Sequence, residues 1–154
     1  MIDRRVMMGA ALAAIAAPAA TRALAEPAVS RITAYAFSFS ALTDGEIRLA
    51  DYTGRPLLVV NTASLCGYTP QYAGLQEIWS ECQGRGFGMI GVPSNDFGGQ
   101  EPGGAREITE TTQHQYAVTF PIAAKSAVAG PNAHPFYRWG RRSASEGRSA
   151  LELP

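Results

Sequence analysis

Residues 56–72 read PLLVVNTASLCGYTPQY, and this stretch decides the fold. Pro56 to Ala63 is a continuous apolar run rich in β-branched residues, which is typical of a strand buried on both faces of a parallel sheet. Ser64 to Tyr68 is predicted to be a loop, after which Thr69 offers a helix N-cap and Pro70 a first helical residue. The stretch therefore predicts a strand, a loop that carries a cysteine, and a helix.

Further elements are predicted on both sides of this stretch. Before it, residues 26–55 are predicted to form a β-hairpin around the turn Asp44-Gly45. After it come a second buried strand at Phe87–Pro93, a polar, Gly-rich loop at Ser94–Gly104 and a polar helix at Ala105–Tyr116. An extended stretch from Phe120 to about Val128 and a short helix at Asn132–Arg141 follow. Strands that alternate with helices predict an α/β fold with a parallel sheet.

The first 25 residues have the pattern of an export signal. Arg4 and Arg5 form a charged start, Val6 to Ala20 an Ala-rich apolar run, and a small-residue cleavage site ends at Ala25. The adjacent arginines leave two routes open, the general secretion route and the twin-arginine route. The run is shorter than the roughly 20 residues of a spanning helix, so we expect cleavage after Ala25, export to the periplasm and no membrane span.

Composition argues against several classes of function. The chain has 13 Lys and Arg, 13 Asp and Glu, and a formal net charge of zero, so no nucleic-acid partner is predicted. Two cysteines are too few for a disulfide-rich scaffold. His114 and His134 lack spaced partners, so both are interpreted as surface or capping residues. The sequence accordingly predicts neither a metal site nor a cofactor.

Cys66 is the candidate nucleophile. It lies in the turn ahead of a predicted helix N-terminus, where unpaired backbone N–H groups and the helix dipole favour negative charge and therefore the thiolate. By itself this position leaves a buried structural cysteine as the alternative. Cys82 continues the helical stripe of Tyr72, Leu75 and Trp79, and it is predicted to be a core residue.

Two motifs closely resemble those of the glutathione peroxidases. NTASLCGYTPQYAGLQEIW, at 61–79, is similar to the family's signature of a cysteine or selenocysteine, then Gly, then Thr-x-Gln-Tyr. GVPSNDFGGQEPGG, at 91–104, resembles the family's second signature and puts Gln100 in the place of its active-site glutamine. FPI at 120–122 and HPFYRW at 134–139 also fit, so the resemblance covers roughly residues 30–141.

The resemblance implies a thioredoxin-like fold and the reduction of hydrogen peroxide or organic hydroperoxides. Cys66 would then attack a peroxide oxygen and become a sulfenic acid, and Gln100 would donate hydrogen bonds to the developing charge. A thioredoxin-like copper chaperone is a weaker alternative, because those proteins carry a CxxxC pair and the fourth residue after Cys66 is Pro70.

The resemblance also bears on the reductant. Family members use glutathione or a resolving cysteine that is served by thioredoxin, and the resolving position corresponds here to Thr112. Cys82 lies about 13 residues into the predicted helix, or roughly 18 Å along its axis at 1.5 Å per residue. Since a disulfide needs Cα atoms within about 7 Å, Cys66 and Cys82 are predicted not to pair. A small thiol such as glutathione is the expected reductant.

The end of the chain departs from the family. Its members carry a Trp-Asn-Phe segment, a strand pair and a last helix, and none is recognisable here, so we expect the sheet to lack these strands and to expose an apolar edge. Residues 142–154 are predicted to be an atypical tail. Ala150 to Pro154 can be encoded so that a one-base shift reads Arg-Trp-Asn-Phe, which suggests a frameshift or a sequencing error that imitates one. The alternative function is therefore a truncated, catalytically dead remnant.

Overall fold

The computed structural model describes residues 32–151, with side chains as far as residue 144. The predicted export signal lies outside the described residues. Within them the regular elements are β1 (Ser38–Ser40), β2 (Glu46–Arg48), β3 (Leu57–Thr62), α1 (Gln71–Cys82), β4 (Gly88–Pro93), α2 (Ala105–Thr109) and α3 (Pro135–Leu151). A π-helical segment, Glu110–Gln115, continues α2. No helix in the described part of the chain is both long and apolar enough to cross a bilayer.

The predicted hairpin is confirmed. Strands β1 and β2 pair in antiparallel register, with Ser40 opposite Glu46. The connection turns at Gly45, whose φ of 95° lies in the left-handed region that favours glycine. Phe39 and Leu49, on and just after the hairpin strands, are fully buried, so the hairpin covers one face of the sheet.

Strand β4 is the centre of the sheet. It pairs in parallel with β3, from Leu57 opposite Gly88 to Thr62 opposite Pro93. On its other side, Gly91 forms a parallel bridge with Ile122 in the predicted extended stretch. The parallel α/β architecture is therefore confirmed.

Two apolar clusters pack on the two faces of β4, all of whose residues are buried. Met89 faces the first cluster, which is completed by Leu42, Tyr72, Ile108, Val118, Phe120 and Ile122. Ile90 and Val92 face the second, with Phe39, Leu49, Ala123 and Val128, and with Phe136 and Tyr137 of α3 against it. Helices α1 and α2 therefore cover one face, and α3 with the hairpin covers the other.

Strand β3 differs from the prediction. It was expected to be buried on both faces, but Leu58 is 37% exposed and Asn61 is exposed as well. The exposed Leu58 agrees instead with the apolar edge that was expected from the departure at the end of the chain. Among residues 32–151, β4 is the one strand that pairs with β3. An apolar, β-branched run looks the same in an edge strand and in a central one, because the number of neighbouring strands depends on the tertiary structure.

Helix α3 starts three residues after the predicted position, and His134 caps it. The His134 Nδ1 atom accepts the Phe136 N–H at 3.3 Å, and its ring stacks on Phe39 with 4.4 Å between centroids. Burial lowers the pKa of His134, which favours the neutral ring that this acceptor role requires. The interpretation of His134 as a capping residue is confirmed.

The same helix continues ten residues beyond the predicted end at Arg141, to Leu151. Residues 142–151 lack an apolar stripe, which is why no element was predicted there. They are mostly Ser, Ala, Arg and Glu, which a helix accommodates, and no proline interrupts them before Pro154. The frameshift hypothesis stays a prediction.

The start of β4 tolerates no side chain. A Cβ on Gly88 would clash with Tyr52 Cδ1 and would lie 2.9 Å from Leu57 Cδ1. We expect Gly88→Ala to lower the free energy of unfolding by about 1–3 kcal/mol through overpacking. Gly74→Ala in α1 is the matched control, because no described atom outside its chain neighbours and the nearby helix backbone lies within 4 Å of its added Cβ. The control should be stabilising by about 0.5–1 kcal/mol. Urea titration measures both, and an unchanged midpoint for Gly88→Ala would contradict the packing described.

Candidate active site

The structure brings the two candidate catalytic loops together. Cys66 follows the carboxyl end of β3, and Gln100 lies in the loop that follows the carboxyl end of β4. Neighbouring parallel strands end at the same edge of a sheet, where α/β proteins commonly form their sites. A backbone hydrogen bond joins the loops directly, because the Leu65 N–H donates to the Gln100 carbonyl at 2.9 Å.

Cys66 is a half-buried free thiol beside a cleft. The Tyr68 N–H donates to its Sγ at 3.5 Å. This donor belongs to the loop and not to α1, which begins only at Gln71. The cleft has a volume of about 70 Å³ and is lined by the end of β3 and by Tyr68, Thr69 and Tyr72. Since about 15 Å³ is enough for one water, the cleft has room for a small peroxide.

Thr69 shapes the cysteine loop instead of capping α1. Its Oγ1 accepts the Cys66 N–H at 3.1 Å and lies 2.7 Å from the Cys66 carbonyl and 2.9 Å from the Ala63 carbonyl. The N-cap position is occupied by Pro70, whose side chain forms no capping bond. The N-cap prediction for Thr69 was wrong because these nearer backbone groups use the hydroxyl.

Gln100 lies next to the cysteine loop, but it is not one of the residues that line the cleft. Its side chain is half-buried. Among residues 32–151, no group forms a hydrogen bond with the side-chain amide. The structure thus places Gln100 beside Cys66 through the backbone, and its catalytic role stays a prediction.

Glu101 is a site residue that the sequence analysis missed. It is 1% exposed, and its Oε2 accepts both the Ser64 N–H at 2.8 Å and the Ser64 hydroxyl at 3.1 Å. Burial raises the pKa of the Glu101 carboxyl, while the bonds from Ser64 and the charge of Lys125 act in the opposite direction. A glutamate in a polar, Gly-rich loop gives no sequence signal of burial. The position of Glu101 directly after Gln100 was the one sequence feature that pointed to a place in the site.

Polar contacts hold the rest of the Gln100 loop against the domain. The Lys125 Nζ donates to the carbonyls of Glu101 at 3.2 Å and Gly103 at 2.6 Å. The Asp96 carboxylate accepts the Ala129 N–H at 2.9 Å and the Val128 N–H at 2.6 Å, and these bonds lower the pKa of Asp96. A segment with many glycines is therefore fixed at both of its ends.

The second cysteine is not the core residue that was predicted. Cys82 is the last residue of α1, is half-buried, and has its Sγ 3.1 Å from an Arg85 guanidinium nitrogen. The apolar stripe stops one turn earlier, because the helix ends where the chain turns towards β4. Thr112, at the resolving-cysteine position, is fully buried and donates its hydroxyl to the Ile108 carbonyl at 2.8 Å.

No group of three or more His, Cys, Asp or Glu side chains suited to a metal ion occurs in the part of the chain that the structure describes. His114 is exposed, with its Nδ1 3.5 Å from a Glu110 oxygen. This position agrees with the interpretation of His114 as a surface residue.

Comparisons with known proteins agree with the two motifs. Residues 34–141 match the model of the family described as glutathione peroxidase. The hydroperoxy fatty acid reductase gpx1 of Synechocystis sp. is 50% identical over 107 residues, covering 70% of this chain and 63% of that protein. The glutathione peroxidase-like peroxiredoxin gpx1 of Schizosaccharomyces pombe is 50% identical over 86 residues, covering 56% of this chain and 54% of that protein. The chain thus spans less than two thirds of both.

Solved structures give the same result for the fold. The apo form of Trgpx superimposes with a TM-score of 0.56 at 34% identity, over 73% of this chain and 66% of that one. T. cruzi GPX1 superimposes with a TM-score of 0.52 at 30% identity, over 70% of this chain and 63% of that one. The thioredoxin-like fold is confirmed. Since the family model also covers the strands, the two joined loops and most of the helices described above, the chain belongs to the glutathione peroxidase family.

Proposed function

We propose that this chain is a thiol peroxidase that reduces hydrogen peroxide or organic hydroperoxides with Cys66. The main support is a free thiol at a cleft, with a backbone N–H on its sulfur, in a loop bonded to the loop of Gln100. Family membership points to the same chemistry, since relatives that cover much of this chain carry the names of a hydroperoxide reductase and a peroxiredoxin.

The proposed reaction starts with the Cys66 thiolate. It attacks one peroxide oxygen, so that an S–O bond forms while the O–O bond breaks, and the sulfur is oxidised by two electrons to a sulfenic acid. The second oxygen leaves as hydroxide or alkoxide and takes up a proton. The Gln100 amide donates a hydrogen bond to this oxygen as its charge develops, and it does so without titrating itself.

Apolar residues around the two loops support organic hydroperoxides as substrates. Leu65 and Tyr68, on either side of Cys66, are 68% and 75% exposed. Phe97, in the Gln100 loop, is 54% exposed. Exposed apolar side chains near a reactive group are suited to the hydrocarbon part of a ligand. A fatty-acid hydroperoxide, as in the name of the Synechocystis relative, is the substrate we favour.

The position of the thiols supports a small external reductant. Thr112 cannot act as a resolving thiol, and Cys82 lies at the far end of α1 from the cysteine loop. One thiol molecule would condense with the sulfenic acid to give a mixed disulfide and water. A second would attack the mixed disulfide, form a disulfide with the first thiol and release Cys66 as the thiolate. Glutathione is the proposed reductant, and a thioredoxin-like donor is the alternative. From the pattern of residues 1–25 we also propose export to the periplasm.

The nucleophile can be tested with a matched pair of variants. We expect Cys66→Ser to abolish peroxide consumption and Cys82→Ser to leave it nearly intact, because only Cys66 lies at the cleft. Dimedone labelling after peroxide treatment, followed by mass spectrometry, should place the adduct on Cys66. A dead Cys82→Ser variant would reverse the assignment. A wild-type chain without any turnover would favour the catalytically dead remnant.

The role of Gln100 can be tested separately. We expect Gln100→Ala to slow the oxidation of Cys66 by about 100-fold, the typical cost of removing one donor to developing charge. Gln83→Ala is the matched control, because Gln83 is an exposed glutamine at the end of α1. Single-turnover rates with hydrogen peroxide measure both. Equal rates for the two variants would exclude Gln100 from the reaction.

The reductant can be tested by mass spectrometry without reducing agents. We expect peroxide to give a Cys66 sulfenic acid and no Cys66–Cys82 disulfide, because helix α1 separates the two thiols. Turnover should then require glutathione or a similar thiol and should not proceed with thioredoxin alone. An internal disulfide formed in the folded protein would contradict this.

A further inference from the structure

Glu101 is a buried carboxylate that the proposed reaction does not use. We propose that Glu101 is a positioning residue of the peroxidase site, whose carboxylate holds Ser64 and thereby keeps the Cys66 loop in register with Gln100. This inference rests on the proposed peroxidase function and adds a residue to the same site.

The geometry consists of two adjacent contacts between the loops. The Glu101 Oε2 accepts the N–H and the hydroxyl of Ser64 at 2.8 Å and 3.1 Å. The next residue along, Leu65, donates its N–H to the Gln100 carbonyl at 2.9 Å. Cys66 directly follows this bonded pair in one loop, and Gln100 is part of it in the other. These bonds therefore fix the backbone of the two loops that carry Cys66 and Gln100.

The environment of Glu101 favours a role in positioning the Cys66 loop over a role in stabilising the fold. Its side chain is 1% exposed, and its Oε1 has no hydrogen-bond partner in the described part of the chain. The nearby ammonium group of Lys125 bonds the main-chain carbonyls of Glu101 and its two successors, not the carboxylate. A buried carboxylate without an ion pair destabilises a fold. The compensating benefit is the fixed position of Ser64.

Protonation gives a readout that separates the two roles. Burial raises the pKa of Glu101, so the carboxyl takes up a proton at a higher pH than an exposed glutamate. Lys125 is the charged group near the Glu101 carboxyl, and the Tyr72 hydroxyl is a further titratable neighbour. Glu101 also lines a cavity of about 480 Å³, whose other charged residues are Arg106, Glu107 and Glu110. As the pH falls through the raised pKa, protonation of Glu101 increases the stability of the fold. The hydrogen bonds between Glu101 and Ser64 become weaker, because the acceptor is then a neutral carboxyl.

The test compares two reactions of the same thiol in chains that also carry Cys82→Ser. Rate constants are measured with hydrogen peroxide, which needs the Cys66–Gln100 geometry, and with iodoacetamide, which needs only an accessible thiolate. We expect Glu101→Ala to lower the peroxide rate tenfold or more, since a shift of about 1 Å can cost about 100-fold. The iodoacetamide rate should stay nearly unchanged.

Glu101→Gln keeps the size and one acceptor, and it should lower the peroxide rate less while folding at least as stably as wild type. Dividing the peroxide rate constant by the iodoacetamide rate constant cancels the thiolate fraction, because both reactions need the thiolate. This ratio should fall at acidic pH in wild type, where Glu101 takes up a proton, and should not change with pH in Glu101→Gln. Glu77→Gln, an exposed carboxylate on α1, is the matched control and should change neither rate. If Glu101 acts by placing the amide, Glu101→Ala should add little to Gln100→Ala.

Three results would overturn the inference: a parallel fall of both rates, a Glu101→Gln ratio that follows pH as wild type does, or additive effects of Glu101→Ala and Gln100→Ala. If wild type and Gln100→Ala behave as proposed and Glu101→Ala reacts at the wild-type rate, this inference alone fails. If the wild-type thiol does not react with peroxide, the proposed function fails with it. Should Glu101→Ala not fold, the ratio in Glu101→Gln still decides.

Discussion

The parallel pairing of β3 with β4 is the constraint on which the rest of the structure depends. It runs from Leu57 opposite Gly88 to Thr62 opposite Pro93, and the Ser94 N–H extends it by bonding the Thr62 carbonyl at 3.0 Å. The two loops of the proposed site, which carry Cys66 and Gln100, leave from these two strand ends. A slip of one residue would exchange the faces of every side chain in one strand and would also separate the loops.

This pairing is held in place by packing on both faces of β4. Met89 faces one apolar cluster, while Ile90 and Val92 face the other, so the strand cannot move without opening one of them. The loops beyond the strand ends are fixed by polar contacts instead, among them those of Thr69 and Glu101. In the proposed reaction, a rigid strand pair with hydrogen-bonded loops would keep the thiol of Cys66 and the amide of Gln100 in one orientation towards a substrate.

Local patterns predicted much of the fold correctly. The turn at Gly45, the buried strand β4 and the position of Cys66 between a strand and a helix follow from residue types and spacing. Apart from the bounds of α3, the predictions that failed concerned the surroundings of a residue. β3 has one paired neighbour where two buried faces were expected, Thr69 bonds its loop instead of α1, and Cys82 lies where the helix leaves the core. Residue type does not carry this information, because burial and bonding partners come from distant parts of the chain.

The sequence by itself determined the order of the elements, the family and the two candidate residues, Cys66 and Gln100. The order of the elements follows from backbone preferences and hydrophobic periodicity, which act over a few residues. The family and Gln100 follow from the resemblance of two contiguous motifs to those of the glutathione peroxidases. Only the tertiary structure decided that Glu101 is buried against Ser64, 37 residues away in the chain. The reason is physical: a carboxylate in a polar loop is ordinarily solvated, and it becomes buried only when two strands of fixed register bring donors to it.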